Sequence, residues 1–79
     1  MKARIYVTLK TEVLDPQGDA VRRALGTLGF EGVKDVRVGK LVELEVDRDD
    51  REGVERDVRS MCEKLLANAV IEDFRFELV

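Results

Sequence analysis

Histidine and tryptophan are absent from these 79 residues, cysteine and proline occur once each, and the side-chain amides are Gln17 and Asn68 alone. Each shortage removes something. Without histidine no side chain titrates near neutrality of its own accord, and neither a Ser-His nor a Cys-His pair can be built. Chemistry carried out by this chain on its own is therefore not expected. The lone Cys62 forbids an internal disulfide, and a structural zinc site lacks its usual donors. No apolar run is long enough to cross a bilayer. The opening Met1-Lys2-Ala3-Arg4-Ile5 passes straight into strand-like alternation, with no apolar leader stretch, which reads as cytoplasmic.

What is present is 44% hydrophobic and 39% charged, too apolar for disorder. Fourteen basic against 17 acidic residues give a net charge of −3, so neither nucleic acid nor a membrane surface is expected as the partner. Residues 1–79 read as a single domain. A chain this short hides only about 60% of its unfolded surface, and its core barely offsets the entropy of ordering it. With disulfide and zinc excluded, oligomerisation is the remaining supplement.

Ala3, Ile5, Val7 and Leu9 alternate with polar residues, the period of a half-buried strand. Asp15-Pro16 forms a helix start, a capping carboxylate followed by a proline at the first helical position. The stripe Ala20, Val21, Ala24, Leu25 and Leu28 is expected to be buried, with Gly29 as a left-handed cap and Phe30 packed beneath. Val36, Val38, Val42, Leu44 and Val46 restore the period of two. Within that run Gly39-Lys40 is either a two-residue hairpin turn or a bend inside one long strand. Asp49 and Glu52 stand at capping-box spacing before a second helix striped by Val54, Val58, Met61, Cys62, Leu65 and Leu66. Asn68 is expected to end that helix in the left-handed conformation. Val70 to Leu78 form a last strand. The fold class is α+β: two strand-helix-strand units, β-α-β-α-β, in an antiparallel-containing sheet with its helices on one face. The opposite face, with Tyr6, Thr8, Leu41 and Glu43, is left for water or a partner.

Few residues invite a functional reading. Cys62 lies on the apolar stripe and reads as a core thiol. The helix start at Asp15-Pro16-Gln17-Gly18 could attract an anion, but Asp15 would repel one, and capping explains it. Arg37, Gly39 and Lys40 place two cations beside backbone that lacks a Cβ, which suits a phosphate or carboxylate contact or equally a solvated strand edge. The acidic run Asp47, Asp49 and Asp50 lacks the spacing of a calcium loop.

Val7-Thr8-Leu9-Lys10, Val13-Leu14-Asp15-Pro16-Gln17-Gly18, Ala24-Leu25 to Leu28-Gly29-Phe30 and Val36-Arg37-Val38-Gly39-Lys40, taken together, resemble the PurS family. That family is the small subunit of phosphoribosylformylglycinamidine synthase. The likeness runs nearly the whole chain, with Ala69 where members usually carry proline. It implies a non-catalytic accessory subunit of purine biosynthesis that bridges a glutaminase subunit (PurQ) and an ATP-dependent synthetase subunit (PurL) and assists ammonia transfer. It also implies a homodimer or tetramer sharing a long second strand, which favours the bend at Gly39. No cofactor is expected on this chain, with ATP and magnesium used by the complex. By position, Asp15, Pro16, Gln17, Gly18, Arg37, Gly39 and Lys40 would form the partner-binding surface. The competing reading is a small amino-acid-sensing regulatory domain, which favours glycine-rich strand-to-helix loops instead.

Overall fold

The computed structural model describes residues 1–79. Alternation in β1 (Lys2–Leu9) turns Ala3, Ile5 and Val7 to one side, and this strand becomes the middle of a three-stranded sheet. β2 (Lys40–Glu45) and β3 (Glu72–Leu78) flank it, each antiparallel, in the order β2-β1-β3. Register sets Ile5 between Val42 and Phe76 and Ala3 between Leu44 and Leu78, so apolar positions meet apolar positions across all three strands. α2 (Arg51–Met61) and the π-helical turn that continues it, Cys62–Leu66, cover this face. Val54, Val58 and Cys62, four residues apart, join Ala3, Ile5, Val7 and Ala67 as the buried core, bordered by half-buried Val42, Leu44, Phe74 and Phe76.

The expected α+β architecture is present, but α1 (Pro16–Thr27) is not laid on the sheet of its own chain. Gly18 is its only buried residue. Val21, Leu28 and Phe30, expected under cover, are 41%, 72% and 60% exposed. Periodicity identifies the apolar side of a helix and says nothing about which chain covers it. The helix ends as its glycine predicts: Gly29 takes φ 94°, Phe30 N–H donates to Leu25 O (3.0 Å) and Gly29 N–H to Gly26 O (3.1 Å), a Schellman cap. Residues 30–39 then return to the sheet without a strand partner. Helix and return segment form an arm, and the molecule measures 48 × 25 × 14 Å. Its radius of gyration is 15.9 Å, against about 12 Å for a compact chain of this length.

Gly39 is settled against the hairpin. Neither Gly39 nor Lys40 has the positive φ that a two-residue hairpin turn requires, and Lys40 pairs directly with Val7. Three other local expectations fail for visible reasons. No capping box forms at α2: Asp50, not Asp49, is the cap residue, and its carboxylate is taken by Arg48 at 2.9 and 2.7 Å. Arg48 reaches Asp57 as well, and the pair with Asp50 lies over Gly53, where any Cβ would collide with both side chains. Asn68 is not left-handed. The helix closes through its π turn, and Asn68 instead accepts from Val70 N–H (3.0 Å) and donates its own N–H to Glu72 (2.7 Å), which delays β3 to Glu72. Leu65, expected in the stripe, is 82% exposed because the π turn rotates it off the apolar face.

The uncovered face carries the expected residues, and its charges are paired among themselves. Glu43 meets Lys2 and Arg4, both at 3.2 Å, and Arg4 also reaches Glu77 at 3.9 Å. Tyr6 donates its hydroxyl to Glu77 (3.0 Å) beneath the Arg75 guanidinium, 3.9 Å from its ring centre.

Candidate functional site

The seven residues singled out as a recognition surface converge at the base of the arm, where β1 leaves the sheet and β2 enters it. Asp15 and Gly18 are buried, and of the other five Arg37 and Gly39 are exposed yet engaged by the chain itself. Asp15 is 5% exposed. Its Oδ1 accepts from Gly18 N–H at 3.0 Å, closing the first turn of α1, and its Oδ2 accepts from Val38 N–H at 2.8 Å. One carboxylate thus caps the outgoing helix and holds the returning segment. These two backbone donors, that of Gly18 first, and the nearby Arg37 keep the Asp15 carboxyl below the usual aspartate range against the opposing effect of its burial.

Gly18 lies against the Val36 carbonyl so closely that a Cβ would overlap it. Gly39 meets β1 in the same manner, its missing Cβ falling 2.5 Å from Val7 O and 2.7 Å from Thr8 Cγ2. Arg37 crosses to the turn that follows β1: Nη1 donates to Val13 O (2.7 Å) and Nη2 to Thr11 O (2.9 Å), with Asp35 at 3.9 Å. Its fork is therefore engaged by main chain. Pro16, Gln17 and Lys40 remain exposed. Gln17, Gly39 and Lys40 line a recess of about 260 Å³, whose far wall includes Thr8 and Glu72. The partners that complete this arrangement, the carbonyls of Thr11, Val13 and Val36 and the amide of Val38, are main-chain groups, which no residue-type signal could have picked out.

Cys62 is fully buried, and burial pushes its thiol up, away from the thiolate a nucleophile needs. No three potential metal-binding side chains stand together, and no helix is long and apolar enough to cross a membrane.

The depressed Asp15 pKa sets a sign. The folded state binds that proton less readily than the unfolded one, so the contribution to stability is complete above the unfolded value of about 4 and is lost as pH falls through the folded value. Acid unfolding followed by circular dichroism should therefore steepen below about pH 4. Asp15→Asn should flatten that part of the curve, and an unchanged curve would show that the carboxylate carries no charge-dependent load.

Fold and site together define a small α+β module: a half-covered antiparallel sheet with an apolar arm whose base is joined by a buried carboxylate and an arginine fork. A family model described as phosphoribosylformylglycinamidine (FGAM) synthase matches residues 2–79. The chain belongs to the PurS family. It is 52% identical over 77 residues to the PurS subunit of phosphoribosylformylglycinamidine synthase from Bacillus subtilis, covering 98% of this chain and 90% of that one. Among solved structures it is similar to PurS of Methanocaldococcus jannaschii, described as one of the subunits of formylglycinamide ribonucleotide amidotransferase in the purine biosynthetic pathway. There the identity is 41%, the coverage 96% and 92% of the two chains, and the TM-score 0.85. It also matches a chain in the structure of PurLQS from Thermotoga maritima, with 34% identity, coverage of 99% and 95%, and a TM-score of 0.89.

Proposed function

We propose that this chain is the non-catalytic subunit of phosphoribosylformylglycinamidine synthase that joins the glutaminase subunit (PurQ) to the ATP-dependent synthetase subunit (PurL). The observation that carries the reading is the end-to-end match to a chain of the Thermotoga PurLQS structure at a TM-score of 0.89. In this role the chain contributes position. Ammonia freed from glutamine must reach activated formylglycinamide ribonucleotide before it escapes to bulk water, and holding two sites in fixed geometry replaces a bimolecular encounter with a local one. ATP and magnesium belong to the synthetase chemistry of the complex, and the setting is the cytoplasm.

The protein works as a homodimer in which arms are exchanged, and pairs of dimers give a tetramer. The exposed stripe of α1, the unpaired residues 30–39, the free edge of β2 and the half-covered Val42 and Leu44 are complementary deficits, and a second copy supplies each one with what it lacks. Residues 1–79 remain one folding unit in this assembly.

Pro16, Gln17 and Lys40, exposed and not engaged by the arm's own bonds, are the partner contacts, while Asp15, Gly18, Arg37 and Gly39 hold them in place. Lys40→Glu tests this. In the reconstituted complex, glutamine-dependent synthesis should fall by about tenfold, the cost of turning an attraction at an interface into a repulsion, while ammonia-dependent synthesis persists. Equal rates with glutamine for both proteins would remove Lys40 from the contact.

A further inference from the structure

We infer that Asp15 and Arg37 form a lock at the base of the arm that holds it open, so that it serves a second copy and cannot fold back on its own sheet. The inference rests on the exchanged dimer proposed above and names what enforces it. A swapped dimer and a closed monomer bury the same surfaces and differ at the hinge, so interactions found in only one hinge conformation decide between them. Here the hinge is Gly39, flanked by Val38 and Lys40. Closing the arm would require the chain to reverse at Gly39-Lys40 and lay residues 33–38 along β2.

Two sets of bonds oppose that reversal. Arg37, two residues before the hinge, is tied to the carbonyls of Thr11 and Val13. That loop is fixed in turn to the sheet, because Lys10 N–H donates to Ile71 O at 2.8 Å and Val13 N–H to Lys10 O at 2.9 Å. Rotation about Gly39 carries Arg37 away from carbonyls that stay behind. Val38, adjacent to the hinge, is held through its N–H by Asp15, and a reversed strand would need that donor for its own pairing. The carboxylate and the guanidinium are both charged, so each bond is of the stronger, charge-assisted kind. Asp15 and Arg37 are positioning residues on this account, acting through the direction of the arm.

The test uses the full chain with spin labels at Gly26→Cys, where a side chain meets open space, and at the exposed Asp49→Cys, leaving the buried Cys62 unlabelled. Labelled protein is diluted into excess unlabelled protein so that only distances within one chain are read, and mass is measured in parallel by light scattering. The parent protein should give a dimer and a single long distance. Arg37→Ala and Asp15→Ala should shorten that distance and raise the dimer dissociation constant by about tenfold or more. Arg37→Lys, which keeps the charge but not the fork, should fall between and provides the reading if either alanine variant loses its helical signal. An unchanged distance in these variants overturns the lock. A monomeric parent protein whose distance still shortens on Arg37→Ala overturns the exchange and leaves the lock standing.

Discussion

Gly18→Ala is expected to destabilise the protein and to abolish most glutamine-dependent synthesis in the complex, although helix propensity alone predicts the opposite. Within a helix, alanine is favoured over glycine by about 1 kcal/mol. At Gly18 the added methyl has nowhere to go, because it would overlap the carbonyl oxygen of Val36, which is backbone and cannot rotate aside. Overpacking of this kind costs about 1–3 kcal/mol, and relief requires the helix start and the return segment to separate. Separation pulls Asp15 from one of its two donors and frees Val38, two residues before Lys40. A shift of about 1 Å in a positioning element can cost about a hundredfold in rate. Melting temperature, mass, and rates with glutamine and with ammonium ion should be compared for the variant and its parent. A variant that melts higher than its parent and keeps both rates would refute the close approach at Gly18.

The second large effect is expected at Ile5→Ala. Ile5 is fully buried at the centre of a core of seven residues, flanked by Val42 and Phe76 on the neighbouring strands. Truncating such a side chain costs about 2–5 kcal/mol, the lost transfer energy plus that of the cavity left behind. A chain of this length has a total stability of roughly 4–12 kcal/mol. The loss is therefore a large share of the whole, and the melting temperature should fall by about 10–30 °C. Protein concentration must be fixed, since association raises the apparent stability. Leu65→Ala is the control: on the sequence pattern both are core residues, yet Leu65 is 82% exposed and its truncation should change stability by no more than about 0.5 kcal/mol. Equal losses at the two positions, measured at a concentration where the chain is unassembled, would refute this placement of the core.

Local signals translated faithfully where the responsible groups are neighbours in the chain. Asp15 caps Pro16–Thr27 with its side chain on Gly18, and Gly29 closes the same helix left-handed. The parity of Ala3, Ile5 and Val7 marked the inner face of β1. Signals failed where another group, near or far in the chain, competes for the same partner. The capping box at Asp49 and Glu52 was pre-empted when Arg48, reaching onward to Asp57, drew in the Asp50 carboxylate. The α1 stripe was read correctly as apolar and wrongly as covered, because periodicity marks the apolar side of a helix without saying whether its own chain packs against it. Arg37 was legible as a cation in want of an acceptor. That its acceptors are the Thr11 and Val13 carbonyls depends on the arm's path through space, and no spacing rule encodes it.

The paired charges on the open face of the sheet bear on what happens before any partner arrives. A newly made chain has an uncovered apolar helix and two free strand edges, features that invite stacking and edge-to-edge growth into insoluble aggregates. On that face Lys2, Arg4, Tyr6, Glu43, Arg75 and Glu77 already satisfy one another, and along β3 charged side chains stand at alternate positions, Asp73, Arg75 and Glu77. A second sheet stacking there would have to desolvate charges that gain nothing in return. The unassembled chain thus carries its own protection against precipitation on that face, and the arm is left as its exposed apolar surface.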